Sequence, residues 1–141
     1  MHKLELNSPV GNWDCLQAAV YNGANSAYLG IKFFNARRLA KNFSPEELKD
    51  AVFFAHLHGV KVYLTFNTLV RNEEFPIWFK TLEQAYLAGI DAVILQEVFL
   101  APLIKKSFPG LRVHASTQAS MMNYHGINQF PELDLAVLAR E

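Results

Sequence analysis

The chain has 141 residues, 51% hydrophobic and 18% charged, which is typical of a globular protein large enough to bury a core. Thirteen basic and thirteen acidic residues cancel, so no overall field attracts nucleic acid or an acidic membrane surface. The sequence lacks an apolar run of the roughly 20 residues that a membrane span needs, and its N-terminal apolar run is too short for a signal peptide. We therefore expect a cytoplasmic protein with no membrane association.

Short apolar runs alternate with amphipathic stretches along the chain, which predicts strands and helices in turn. A capping box formed by Ser44 and Glu47, with Pro45 in the first turn, starts the helix that Gly59 ends. The predicted strands are residues 4–7, 27–30, 60–66, 92–95, 112–115 and 135–139. The predicted helices are residues 13–22, residues 45–58, one that begins between 72 and 76 and ends before 89, one around 100–104, and a short one around 123–130.

Strict alternation of strand and helix predicts a parallel sheet with right-handed crossovers. The third strand favours a barrel over an open sheet, because Val62, Leu64 and Phe66 share one face while Tyr63 and Thr65 share the other. A full barrel has eight strand–helix units and roughly 200 residues or more. We therefore interpret residues 1–141 as a single domain, the N-terminal part of a (β/α)8 barrel with the remainder of the barrel absent. The predicted fold class is α/β, an incomplete TIM-type barrel of about six parallel strands alternating with five helices.

The same alternation predicts which side chains point into the barrel. In the third strand they are Lys61, Tyr63, Thr65 and Asn67. In the other strands they are Glu5, Asn7, Tyr28, Gly30, Ile94, Gln96, His114, Ser116 and Arg140. In parallel α/β folds the chemistry lies at the carboxyl ends of the strands, and polar residues follow every predicted strand here. Helix capping explains Ser8 or Thr68, but Gln and Arg are poor caps. The candidate substrate-binding residues are Asn7, Asn35, Arg37, Asn67, Gln96, Glu97, His114, Ser116, Gln118 and Arg140.

Familiar catalytic sets are missing from the sequence. Ser116 lacks a G-x-S-x-G context, and His56 and His58 diverge on a helix, so they cannot chelate one metal ion. Cys15, in the middle of a predicted helix, is interpreted as a buried small hydrophobe, and a single cysteine excludes an internal disulfide. His114 is either a hydrogen-bonded core histidine or a catalytic one. No catalytic residue and no metal site is assigned.

One local basic patch stands out against the neutral overall charge. It comprises Lys32, Arg37, Arg38 and Lys41. A solvated charged face explains such a patch, and contact with RNA phosphates is the functional alternative.

Seven segments carry a family resemblance. In order, they are residues 9–14 (PVGNWD), 22–30 (NGANSAYLG), 34–37 (FNAR), 66–69 (FNTL), 89–96 (GIDAVILQ), 114–118 (HASTQ) and 138–141 (LARE). Together they resemble the N-terminal region of the collagenase-like peptidase family U-32. Two departures stand out: Asn7-Ser8-Pro9-Val10 replaces the usual Ala-Pro-Ala, and Glu97 replaces the usual aspartate.

The resemblance implies two different activities. The family name implies a protease, a hydrolase, and some members are described as collagenases. Other members are implicated in oxygen-independent, prephenate-dependent hydroxylation of tRNA or ribosomal RNA bases, or of a quinone precursor. Those members carry an iron–sulfur cluster on cysteines beyond the matched segment. The resemblance therefore implies no cofactor within this chain and an iron–sulfur cluster in full-length relatives.

Three hypotheses follow for the function. The first is the N-terminal barrel segment of a hydroxylase of RNA bases or aromatic substrates, whose partners are RNA or a small anionic aromatic molecule. Arg37 and Arg140 suit it, because a guanidinium forks onto carboxylates. The second is a collagenase-like peptidase, and the third is an inactive barrel fragment that only associates with other chains. We expect the chain alone to be inactive and to self-associate through open barrel edges.

Overall fold

The computed structural model describes residues 4–37 and 40–140, which form one parallel sheet with helices in its connections. The strands are β1 (Asn7–Val10), β2 (Ser26–Gly30), β3 (Lys61–Phe66), β4 (Ala92–Leu95), β5 (Arg112–Ala115) and β6 (Leu135–Ala136). The helices are α1 (Trp13–Tyr21), α2 (Pro45–Leu57), α3 (Phe75–Leu87), α4 (Ala101–Ser107) and α5 (Tyr124–Ile127), with 3-10 turns at Val98–Leu100 and Thr117–Ala119. The strands lie side by side in chain order, each parallel to the next. The predicted incomplete TIM-type barrel is confirmed.

The two faces of the sheet have different neighbours, as the alternation in the third strand predicts. Val62, Leu64 and Phe66 belong to the main core with residues of the helices, such as Leu16 and Leu82. On the opposite, concave face a second cluster joins Tyr28, Tyr63, Ala92 and Ile94. The sheet is curled, since Asn7 of β1 and Val137 just beyond β6 line the same cavity.

Local signals for helix ends are confirmed. Ser44 Oγ accepts a hydrogen bond from the Glu47 N–H, and the Glu47 carboxylate accepts one from the Ser44 N–H, so the capping box before α2 is complete. Gly59 follows α2 with a φ of 72°, a left-handed conformation that glycine adopts without steric cost.

The ends of the sheet differ from the prediction. The first strand is Asn7–Val10 and not residues 4–7, because Asn7 pairs with Ser26 while Leu6 bonds to Asn25 outside the strand ladder. Asn7 therefore begins its strand. The last strand is only Leu135–Ala136, and the chain beyond it continues through single bonds such as that from the Val137 N–H to the Ala115 carbonyl.

Cys15 is exposed, which corrects the expectation of a buried thiol. Helix α1 buries Leu16 and Val20, and Cys15 lies about 100° around the helix from Leu16. Among the described residues, no helix is long and apolar enough to cross a membrane.

Candidate functional site

A cavity of about 310 Å³ lies on the concave side of the sheet and opens at the carboxyl ends of the strands. Tyr28, Ile94 and Val137 supply apolar surface, and Thr65 stands beside them. Seven of the ten residues predicted from the sequence line this cavity. They are Asn7, Asn35, Arg37, Asn67, Ser116, Gln118 and Arg140. Residues from both ends of the chain thus meet at one site.

Two predicted residues lie elsewhere along the rim. Gln96 and Glu97 line a neighbouring cleft. Strand β4 ends at Leu95 and the chain turns at once, with the Val98 N–H bonded to the Gln96 carbonyl, so the strand alternation does not extend to Gln96. The Val70 N–H donates to Glu97 Oε1 at 3.2 Å, which ties the carboxylate to the loop after β3.

The loop between β2 and α2 carries Asn35 and Arg37 and is held by buried amide groups. Asn35 is 4% exposed, and its Nδ2 donates to Asn42 Oδ1 at 2.9 Å. Asn35 Oδ1 accepts from the Arg37 N–H at 3.1 Å and from Thr65 Oγ1 at 3.2 Å. Because these bonds occupy the Asn35 amide, its role is to position the loop over the cavity.

Gly30 makes this loop position possible. A Cβ atom on Gly30 would stand 1.8 Å from Asn35 Nδ2, so only glycine lets the buried amide approach the end of β2. Sequence reasoning missed Asn42, whose Nδ2 donates to the carbonyls of Arg37 and Ala40. No pattern in the sequence marks this asparagine, since its partners are set by the path of the loop.

Arg37 is oriented by an aromatic neighbour. Its Nη2 donates to the Tyr28 hydroxyl at 3.1 Å, and its guanidinium carbon lies 5.2 Å from the centre of the Tyr28 ring. The ion pairs formed among residues 4–37 and 40–140 involve neither Arg37 nor Arg140. Asn67 Oδ1 accepts from the Ala36 N–H at 3.1 Å, and Asn67 also lines the cavity. The cavity thus offers cationic and amide donors.

His114 lies on the concave face, in register with Ile94 at the cavity, but does not line it. It is 2% exposed, and its ring packs edge-on against Tyr63 with 4.8 Å between centroids. Its Nε2 is buried and has no hydrogen-bond partner among the described residues. Burial, helped by the charge of Arg112, lowers the pKa of His114 to about 4, so the ring is neutral near pH 7.

Tyr63 and Glu5 form a second polar contact on this face. The Tyr63 hydroxyl donates to Glu5 Oε1. Burial, with the bond to Glu5, raises the pKa of Tyr63 to about 12. Hydrogen bonds from Ser26 and Tyr63 lower the pKa of Glu5, so the pair is a phenol donating to a carboxylate.

Groups for nucleophilic or metal chemistry do not assemble in the described part of the chain. Ser116 is buried and its Oγ accepts from the Gln118 N–H at 3.2 Å, a capping role. No group of three His, Cys, Asp or Glu side chains within residues 4–37 and 40–140 could hold a metal ion. An iron–sulfur cluster needs several cysteine thiolates, and one exposed Cys15 on α1 does not fit it. Arg38 of the basic patch and Glu141 of the last matched segment lie outside the described residues.

The fold and the cavity define a barrel-type α/β protein with an open cavity at the carboxyl ends of its strands. The sequence profile of peptidase family U32 matches residues 11–141. The chain is 35% identical over 143 residues to a collagenase of Porphyromonas gingivalis, covering 100% of this chain and 34% of that protein. It is 35% identical over 144 residues to tRNA hydroxylation protein P1 of Bacillus subtilis, covering 99% of this chain and 33% of that protein.

A solved U32 peptidase has a similar fold, with a TM-score of 0.76 at 16% identity, over 98% of this chain and 60% of that one. The chain belongs to peptidase family U32, which confirms the resemblance in the sequence. It spans about one third of the length of the curated relatives described above.

Proposed function

We propose that this chain supplies the N-terminal barrel segment and the ligand cavity of a cytoplasmic enzyme that hydroxylates RNA bases. One observation carries the proposal: two arginines and four side-chain amides, from loops and strand ends far apart in the chain, line a single cavity. They are Arg37, Arg140, Asn7, Asn35, Asn67 and Gln118. The similarity to a protein named for tRNA hydroxylation, along 99% of the chain, supports the same assignment.

The chemistry of the cavity suits a small anionic ring. Its volume of about 310 Å³ lies at the lower end of small-ligand sites, which range over about 300–1,000 Å³. A guanidinium donates two parallel hydrogen bonds to a carboxylate, so Arg37 and Arg140 would bind the charged groups. Tyr28, Ile94 and Val137 would contact the ring. A cyclic carboxylic acid such as prephenate, which resemblance to the hydroxylases implies, has this combination of groups.

We assign the electron transfer that hydroxylation requires to groups other than the residues lining the cavity. An iron–sulfur cluster in a full-length protein would supply electron transfer, and its ligands would have to come from cysteines beyond this chain. The residues described above bind and orient the ligand. No proton transfer is assigned to His114, because its Nε2 has no partner within the described residues.

Proteolysis is not favoured by any observation at the site. In the described residues, Ser116 Oγ is engaged by the Gln118 N–H, and no histidine is hydrogen-bonded to it. A serine nucleophile needs an adjacent base, and a metallopeptidase needs a ligand set with open coordination. The collagenase and the U32 peptidase are named for their own activity, and these names do not assign proteolysis to this chain.

The test is a nucleoside profile of cellular RNA. The gene that encodes this chain is deleted in its source organism, and tRNA and ribosomal RNA are digested and analysed by mass spectrometry. We expect the deletion to remove one hydroxylated nucleoside, whose mass exceeds that of the unmodified nucleoside by one oxygen atom. Restoring the gene should restore this nucleoside. A profile that is identical with and without the gene contradicts the proposed function.

A further inference from the structure

A second cleft, of about 490 Å³, opens beside the ligand cavity, and Gln118 lines both. We call it the aromatic cleft. Its walls come from the segments that follow β3, β4 and β5. Anything bound in the aromatic cleft would therefore lie next to a ligand in the cavity.

Three exposed apolar side chains line this cleft. Phe99 is 76% exposed and packs edge-on against Phe130, with 5.3 Å between ring centroids. Leu69 and Met122 are also exposed and line the same cleft. The contact with Phe130 supports the Phe99 ring and leaves most of its surface open. An exposed apolar patch at the functional end of a barrel indicates a binding surface.

The polar groups of the cleft are neutral, apart from one engaged carboxylate. Gln96 and Gln118 contribute amides, and Glu97 accepts from the Val70 N–H. Among residues 4–37 and 40–140, no lysine, arginine or histidine lines the cleft, whereas Arg37 and Arg140 line the adjoining cavity. This separation of charge favours an uncharged planar group in the cleft and an anion in the cavity.

We infer that the aromatic cleft is a stacking subsite for one unpaired nucleobase of RNA, with Phe99 as its platform and the amides of Gln96 and Gln118 facing the base edge. An aromatic ring stacks on any base, and an amide pairs with the donor and acceptor groups on base edges. The inference rests on the proposed function, and it assigns the base to the cleft and the small anion to the cavity.

The experiment measures binding of the chain to a fluorescein-labelled, uridine-rich, single-stranded RNA octamer by fluorescence anisotropy at fixed salt. Base stacking on an aromatic side chain contributes about 1–3 kcal/mol, so Phe99→Ala should weaken binding by at least about fivefold. Phe99→Trp should retain it. Phe53→Ala is the matched control, since Phe53 is 66% exposed but lies on α2, away from the cleft. Circular dichroism and thermal melting verify that each variant is folded.

Three results would overturn the inference: no binding by the parent chain, equal affinity of Phe99→Ala and the parent, or equal loss in Phe53→Ala. The two experiments separate the subsite from the proposed function. If octamer binding depends on Phe99 but deleting the gene leaves the nucleoside profile unchanged, the subsite is supported and hydroxylation of RNA is refuted. A profile that depends on the gene, with octamer binding unaffected by Phe99→Ala, would refute the subsite alone.

Discussion

Arg140 illustrates how a single side chain can be tested at the residue scale. It lines the ligand cavity, whereas Lys41 belongs to the basic patch and does not line that cavity. Lysine keeps the charge of arginine but loses the planar pair of donors. We predict that Arg140→Lys lowers the amount of modified nucleoside in the rescued strain by about tenfold, because a hydrogen bond to a charged group is worth about 1.5–3 kcal/mol. Lys41→Ala is the control and should leave the amount of modified nucleoside unchanged. Equal modification by the two variants would contradict the role of Arg140.

His114 makes stability depend on pH. Its folded pKa of about 4 lies below the ordinary 6.5, so between these values the unfolded chain binds more protons than the folded one. The free energy of unfolding should therefore be unaffected above pH 6.5 and fall as the pH drops to 4, by roughly 3 kcal/mol at most from this residue. The charges of Arg112, Asp134, Glu5 and Lys105 act on the His114 ring, and Tyr63 contacts it.

The measurement is urea denaturation at pH 7, 5.5 and 4.5, for the parent chain and for His114→Leu. Other carboxylates contribute to the acid slope of both proteins, so the difference between the two slopes is the readout. We expect a shallower slope for His114→Leu. Parallel curves would show that His114 titrates normally in the folded chain.

At the element scale, the approach of the β2–α2 loop to the end of β2 determines the shape of the cavity. Gly30→Ala would push the Asn35 amide away from Thr65 and Asn42, leaving buried groups without partners, at about 1–3 kcal/mol each. We predict that the free energy of unfolding falls by about 3 kcal/mol. Gly11→Ala is the control, because its Cβ would lie 3.9 Å from the nearest atom. Chemical denaturation compares the stabilities of Gly30→Ala and Gly11→Ala. Similar stabilities would show that the β2–α2 loop shifts to accommodate the added Cβ atom.

At the scale of the whole molecule, β1 and β6 are the outermost strands of the described sheet. Leu6, just before β1, and Val137 and Leu138, just after β6, are exposed. Unpaired strand edges beside apolar side chains favour pairing with another chain. We predict that the isolated 141-residue polypeptide self-associates or is of low stability, as light scattering after size exclusion would measure. A sharp monomer peak with high thermal stability is the contrary result.

The whole chain should also lack peptidase activity. Ser116 serves as a cap, and no base is bonded to its hydroxyl in the described residues. We predict no turnover of gelatin or of a collagen-like peptide by the purified chain. Turnover that Ser116→Ala or a chelator abolishes would contradict this prediction and restore the peptidase alternative.

The sequence by itself determined the features that depend on neighbours along the chain. Hydrophobic periodicity predicted six strands and five helices in the right order, although it placed the first strand three residues too early. The capping box at Ser44 marked the start of α2, and the alternation around Tyr63 assigned the two faces of the sheet. These signals are readable because they arise within a few residues. The positions of polar residues after the strands were readable for the same reason, and six of these candidates line one cavity together with Asn7, which begins β1.

Only the tertiary structure decided where β1 begins, that Cys15 is exposed, and that Gln96 lies in the aromatic cleft. Each depends on the register between strands or on which turn of a helix meets the core. The contact of Gly30 with Asn35 likewise depends on the path of a loop, and the neutral state of His114 depends on burial across the sheet. Local patterns carry no information on such contacts, because the partners are far apart in the chain and meet only when the sheet curls.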